Sequence, residues 1–428
     1  MSRFVSLNAA ILIACLASTA YADEPVAPAA PATPAAPADP PVQSAPADVP
    51  VSAPADVPLT ELPRETAIEN PLGRSSAISS SAFGGYGEIT LNAPSNANSV
   101  VDFRRFVLFF GHDFTDRIRF YSEVEVEHAV ASSSDVGEAE IEQGYLDGLV
   151  NKRLNLRGGL ILMPMGIVNV YHEPPSFNGV DRPDVDEYVI PSTWREAGVG
   201  IFGELAEGLR YQLYLVSGFN ANGFTAESAI AEGHQEAQLA YAGDGGVIAR
   251  VDYEPILGTV IGASAYAATS GNTLRETVGR VPLGMFDVDA RYRRGGFSAR
   301  AEIAMLFIGD ADKLSTALAA GTAEQMAAGP ISSRSQGGYA EVAYDVLRLA
   351  APSTTQALNA FSRFDYADTQ AAVPAGFTAL PQFRRESLMF GLVYKPIAQI
   401  ALKADYRRHW LGDDESYNEF AAAITWLF

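Results

Sequence analysis

A closed antiparallel β-barrel of sixteen strands that crosses a membrane is the all-β fold class the sequence predicts, on three observations. Apolar and polar residues alternate with period two from Ala82 to the end of the chain. The alternating runs are about 10 to 13 residues long, the length of a tilted bilayer-crossing strand, whereas strands of globular sheets run to about 5 to 6. Tight turns and long loops take turns in joining them. After residue 22 no stretch of about 20 apolar residues occurs, which excludes a transmembrane helix. The 48% of hydrophobic residues is therefore interleaved with polar ones.

Residues 1–22 read as a secretory signal peptide: Arg3 is the positive n-region, Phe4 to Ala17 the apolar stretch and Ala20-Tyr21-Ala22 the cleavage site. The rival reading takes Leu12 to Cys15 as a lipoprotein box with a lipidated Cys15. Residues 23–81 form a Pro/Ala-rich periplasmic linker, with the heptapeptide SAPADVP repeated at 44–50 and 52–58. Proline at this density blocks helix and ladder alike and favours an extended, disordered chain. That linker is either a spacer that contacts the cell wall or a leader without a partner. The barrel occupies 82–428, with strands at 82–92, 100–113, 116–129, 138–150, 152–163, 194–206, 208–220, 246–254, 257–268, 282–293, 296–307, 336–347, 355–367, 383–394, 397–409 and 415–428. Both chain ends on the same side require an even strand number. Long joints fall at 163–193, 221–245, 269–281, 308–335 and 368–382, and the alanine-rich run 312–328 predicts a short helix in one of them.

Cys15 is the only cysteine, so disulfides, thiolate metal sites and cysteine nucleophiles are excluded from the barrel. The formal charge of -21 makes nucleic acid an unsuitable partner. The five histidines (His112, His128, His172, His234, His409) stand at no metal-ligand spacing from one another, and no glycine-rich phosphate loop leads from a strand into a helix. Neither cofactor, metal nor catalytic residue is expected, and the chain does not read as an enzyme.

The last run places Phe420, Ala422, Ile424, Trp426 and Phe428 on one face. Alternate apolar residues ending in an aromatic resemble the signal by which outer-membrane barrels are recognised by the barrel-assembly machinery, so Trp426 and Phe428 are assigned that role. The loop 163–193, third on its side, is longer than a connection needs, and its prolines and aromatics predict a packed conformation able to enter the lumen. The alternative is a loop on the rim or against a neighbouring subunit.

The strand end Gly159 to Gly166, the stretch His172 to Pro175, the stretch Pro191 to Glu196, the pair Arg104-Arg105 and the turn Phe114-Thr115-Asp116 together resemble the phosphate-selective porin superfamily. The resemblance covers roughly residues 82–428 and is strongest over 100–205. It implies a homotrimer of sixteen-stranded barrels in the bacterial outer membrane, a third loop folded inward at the constriction, and conduction of small hydrophilic solutes, often anions. Lysine ladders that draw anions into phosphate-specific members are absent; the chain has only Lys152, Lys313, Lys395 and Lys403. Pore-lining candidates are Arg119, Arg210, Arg291, Arg293, Arg300, Arg363, Arg385 and Arg407 on lumen faces, near Glu123 and other acids, with Asp181, Arg182 and Asp184 in the loop and Arg195 at its close. Opposed charge rows either set up a transverse field across a narrow lumen or neutralise one another as ion pairs that fill it.

These residues predict a porin for passive diffusion of small hydrophilic solutes, with a mild preference for anions such as phosphate or small carboxylates. Two alternatives stand beside it. One is a filled structural barrel anchoring the outer membrane to the cell wall through the linker; the other is an outer-membrane hydrolase. Strand two leaves its lumen face open, since Phe103, Arg105, Val107, Phe109 and Arg104, Phe106, Leu108, Phe110 are similarly mixed.

Overall fold

The computed structural model describes residues 81–132 and 134–428; the signal peptide and nearly all of the expected linker lie outside the described residues. Among these, the barrel unit comprises 81–131 and 136–428. Sixteen strands close into one barrel in which each pairs antiparallel with its sequence neighbours and the first with the last. They are β1 (Ser81–Pro94), β2 (Val100–Asp113), β3 (Ile118–Glu127), β4 (Ala139–Asn151), β5 (Leu154–Leu162), β6 (Arg195–Ala206), β7 (Leu209–Ser217) and β8 (Gly245–Ile256). The second half contains β9 (Thr259–Ser270), β10 (Val281–Arg294), β11 (Phe297–Ile308), β12 (Arg334–Asp345), β13 (Ala357–Ala372), β14 (Arg384–Ile397), β15 (Ile400–Leu411) and β16 (Ser416–Leu427). All sixteen expected strands are present. The helix expected over 312–328 splits into Ala311–Ala319 and Ala323–Ala327, because Thr322 caps the second with a reciprocal Gln325 capping box.

Period two decides the placement of side chains. Along β10, Met285, Asp287 and Asp289 are buried inside while Phe286, Val288 and Ala290 are exposed outside. Along β15, Lys403, Asp405 and Arg407 face in and Leu402 and Tyr406 face out. Hydrocarbon offers no partner for a backbone amide, so the continuous ladder around the wall is what permits the apolar face to meet lipid. The seam shows how closely this is built. Gly85 and Phe428 exchange backbone hydrogen bonds of 2.9 and 2.8 Å. A side chain at Gly85 would collide with the Val107 carbonyl and the Phe428 ring. Phe420, Ile424 and Phe428 are exposed on the outside, where Trp426 meets Phe103 edge-on and Phe428 stacks with Phe106.

Two irregularities reset which residues face the lumen. Opposite β1, the register passes from Glu88↔Arg105 to Thr90↔Asp102, leaving an extra residue in β2. The bulge turns Arg104 and Arg105 both inward, which resolves the ambiguity of that strand. Between β3 and β4 the register passes from Glu123↔Gln143 to Val124↔Ile141. Glu142 is the extra residue there, and it and Gln143 are both buried on the inner side. Bulges re-aim side chains in this way beside functional sites.

If the outer face meets lipid, a cation at its midpoint must be costly. Ile303, 61% exposed near the middle of β11, tests this. Ile303→Arg is expected to cost about 2–4 kcal/mol, and Phe297→Arg at the strand end about 0–1 kcal/mol. Denaturant unfolding from lipid vesicles would measure both; equal costs would contradict a lipid-facing band.

Candidate functional site

A loop inside a barrel must find partners for its own backbone, and the third loop, 163–194, finds them on the wall. Gly166 adopts φ 69° where the chain turns inward, and a side chain there would strike Glu302 and Asp186. The Ile167 amide donates to Glu302 at 2.9 Å, and Arg250 donates to the Gly166 carbonyl at 3.2 Å. Further along, the Val180 amide donates to Asp405 (2.8 Å) and the Asp184 amide to Asp365 (3.3 Å). Lys395 donates to the Pro175 carbonyl, Lys403 to that of Gly179, and Arg363 to those of Asp181 and Arg182. On the far side Arg104 and Asn92 grip the Asp181 carboxylate at 2.7 and 2.9 Å. The loop thus crosses the lumen and is held from both sides of the wall, as expected.

The interior divides into two unlike halves. Met163, Met165, Ile167, Val185, Ile190 and Trp194 of the loop pack with Phe219 and Phe224 of the β7–β8 loop against Tyr214, Ile248, Tyr266, Met285 and Leu306 of the wall. Trp194 lies 4.9 Å from Tyr266, edge to face, and 5.2 Å from Phe219. Two loops meet there, and they bury one another's apolar faces. Opposite, between the loop and β1–β4, a cleft of about 420 Å³ remains. Its acids are Glu88, Glu125, Glu127, Glu138, Glu140, Asp181, Glu187 and Glu236; its arginines are Arg104, Arg105, Arg182 and Arg195. A wider vestibule of about 990 Å³ opens among the long loops, with Glu187, Glu227 and Glu232 on its wall and no lysine or arginine. Glu187 borders both spaces.

The sequence-predicted residues separate by depth. Asp181, Arg182 and Arg195 border the cleft. Arg195 reaches Glu140 and Glu236 at 2.5 and 2.8 Å, and Arg182 donates to Thr193 at 2.9 Å. Asp184 stands 3.5 Å from Arg407. Arg300 pairs with Glu341 at 3.0 Å and Arg363 with Asp365 at 2.8 Å, and both also donate to loop carbonyls. Arg291 lies over the Tyr171 ring and Arg385 over that of Tyr188. These arginines hold the loop; they do not line the cleft. Glu123 is buried and accepts from Tyr121 and Gln143. Arg119, Arg210 and Arg293 stand at the short-turn ends of their strands. Sequence reasoning missed Arg250, which joins Asp252 and Asp289, and Glu88 and Glu125, which flank Arg105 at 3.1 and 3.6 Å. Their alternation with apolar neighbours was the available signal.

The closed sixteen-stranded wall is a fold shared with solved structures of outer-membrane porins and channels. Salmonella typhi OmpF in complex with daunomycin is similar with a TM-score of 0.55 and 12% identity, over 81% of this chain and 97% of that one. The outer-membrane channel DcaP of Acinetobacter baumannii has a TM-score of 0.51 at 11% identity, over 81% and 97%. An anion-selective porin from Comamonas acidovorans has 0.51 at 10%, over 81% and 100%. In sequence the chain is 35% identical, over 352 residues, to an uncharacterized protein of Aquifex aeolicus (strain VF5), covering 81% of this chain and 80% of that one. It belongs to the same family as that protein. No model of a known protein family matches it.

Asp186 is the loop carboxyl most altered by its surroundings. Burial pushes it up to about 8; Arg182 pulls it down, and Asp287 and Asp289 push it further up. An unfolded aspartate titrates near about 3.9. Between about pH 4 and pH 8 the folded state therefore holds a proton that the unfolded state has released, and this group's contribution to stability falls as pH rises through that window. Asp186→Asn cannot ionise. Its stability relative to the parent is expected to increase from pH 5 to pH 8, read by denaturant unfolding in micelles at each pH. Parallel curves would show that Asp186 does not keep its proton.

Proposed function

We propose that the chain is a porin of the bacterial outer membrane through which small hydrophilic solutes diffuse passively, past the third loop and along the cleft beside β1–β4. The observation that carries this is Glu187, which borders both the vestibule among the long loops and the cleft beside β1–β4. An export signal at 1–22, a homotrimeric assembly and recognition of the strand ending in Trp426 and Phe428 by the assembly machinery belong to the same reading. The outward position of Phe428 supports the last of these.

The charge along the path points to cations, where the sequence suggested anions. Eight acids face four arginines in the cleft, and the vestibule wall carries Glu187, Glu227 and Glu232, of which Glu227 is offset by Arg385 at 3.6 Å. Like-charged walls concentrate their counter-ion in a narrow space. Phosphate selectivity finds no support in the lysines: Lys395 and Lys403 hold loop carbonyls, and Lys152 and Lys313 are exposed. As for a hydrolase, Ser81 and His112 share a 2.7 Å hydrogen bond, but it is exposed at the short-turn end of β1 and β2, and neither residue borders the cleft. We read the chain as a channel and not as an enzyme.

Planar-bilayer recording under a KCl gradient tests both parts. Stable conducting steps are expected, with a reversal potential of the sign given by K⁺ preference, and Glu187→Lys should move it toward the Cl⁻ value. An intact barrel without steps would reject the channel.

The apolar packing around Trp194 favours a second reading, a filled barrel that serves as an anchor through residues 23–80. Deleting 23–80 separates the two. A channel should keep its conductance and membrane insertion, whereas an anchor should lose attachment to purified cell wall in a pull-down while having no conductance to lose.

A further inference from the structure

Where the third loop passes β3 and β4, three side chains distant in sequence converge, and we infer that Glu123, Glu142 and His172 bind one zinc ion. The His172 Nε2 atom lies 3.7 Å from Glu123 Oε2 and 3.7 Å from Glu142 Oε1. One ligand atom from each of the three lies within 4.8 Å of the others. These separations exceed hydrogen-bonding distance, and neither ring nitrogen of His172 has a hydrogen-bond partner. The imidazole is 2% exposed, and the two glutamates are 2% and 0% exposed. A buried polar ring that reaches toward two buried carboxylates without bonding either is costly as it stands. The spacing suits a shared ion: ligands about 2.0–2.2 Å from a tetrahedral zinc stand roughly 3.4 Å apart.

The surroundings are those of a metal centre. Tyr121 and Gln143 donate to Glu123 at 2.5 and 2.8 Å, and Tyr86 donates to Glu142 at 3.3 Å. Outer hydrogen bonds of this kind orient carboxylate ligands. Arg105, the cation on the adjoining wall, is already engaged by Glu88 and Glu125, so the charge of Glu123 and Glu142 must be offset at the site itself, by an ion or by a protonated His172. Glu142 reaches the site only because it is the bulged residue of β4. One imidazole with two carboxylates selects a transition-type divalent ion such as zinc over Ca²⁺ or Mg²⁺, which take oxygen ligands. His172 also borders the cleft, which gives the ion a way in and a water for the fourth position. The ion would fasten the third loop to β3 and β4 beside the cleft.

The full-length barrel, purified without a histidine tag and stripped with chelator, is titrated with zinc by calorimetry. One Zn²⁺ per chain is expected. His172→Gln and Glu142→Gln should weaken binding by at least about 100-fold, beyond the roughly 10–100-fold typical of losing an outer partner; Lys152→Gln, at an exposed turn, should bind as the parent does. A parent barrel that takes up no zinc overturns the site and leaves His172 as an imidazolium between two carboxylates, and so do variants that bind undiminished. Should the variants fail to fold, X-ray absorption of the parent loaded with Co²⁺ decides. One imidazole nitrogen in an otherwise oxygen shell supports the site, and a shell without imidazole overturns it.

Discussion

Charged side chains of the wall hydrogen-bond the backbone of a loop that has left its own ladder, and the rest of the interior depends on this. A polypeptide that crosses a lumen carries amides and carbonyls with no regular partners, and each one left bare in a partly dry space would cost about 1–3 kcal/mol. Here Glu302, Asp365 and Asp405 accept from loop amides, while Arg250, Arg363, Lys395 and Lys403 donate to loop carbonyls. A row of inward charges that looks from the strand pattern like a selectivity lining is largely a cradle.

That division of labour explains why the interior tolerates so many buried ions. Arg363 and Asp365 are 1% and 0% exposed and 2.8 Å apart. Such a pair gains little over an apolar one when it stands alone, since desolvation offsets the attraction. Its use is geometric. Asp365 holds the guanidinium in place, and the guanidinium in turn holds two successive loop carbonyls. Arg300 does the same, held by Glu341 and donating to the Ser176 carbonyl, while Arg407 meets the loop directly at the Asp184 carboxylate. Substitution of either partner would loosen the loop before it loosened the wall, because the ladder of β11 to β15 does not pass through these side chains.

All sixteen strands of the wall were legible in the sequence, most of their ends to within two residues, although β13 runs five residues past its expected end and β7 stops three short. Lipid on one side and a polar or packed interior on the other impose period two on every strand, and tight turns such as Arg294-Gly295 mark where each ends. The interior was legible only in outline. The length, prolines and aromatics of 163–193 indicate a packed loop, but the pairing of Met163, Met165 and Trp194 with Phe219 and Tyr266 joins distant segments with no shared period. Bulges hid the rest. Counting alternate residues through β4 puts either Glu142 or Gln143 outside, and only the paired strand shows that both face in. The partners of the inward arginines were hidden in a similar way: Arg300 meets Glu341 of the next strand, and Arg105 meets Glu88 and Glu125 of the strands on either side, pairings that only the register brings together.

The narrow path then follows from where the loop's two faces go. Its apolar face, around Ile190 and Trp194, is drawn to the β7–β12 side by burial, worth about 1.5–3 kcal/mol for each large side chain that leaves water. Its polar face, with Asp181, Arg182 and Glu187, is left toward β1–β4, where Arg104 fixes Asp181 at 2.7 Å. The loop cannot sit centrally without exposing the first face or stripping water from the second. An off-centre cleft with acids on both sides is thus the arrangement that satisfies the loop's own composition, and its charge is inherited from the residues that the packing leaves over.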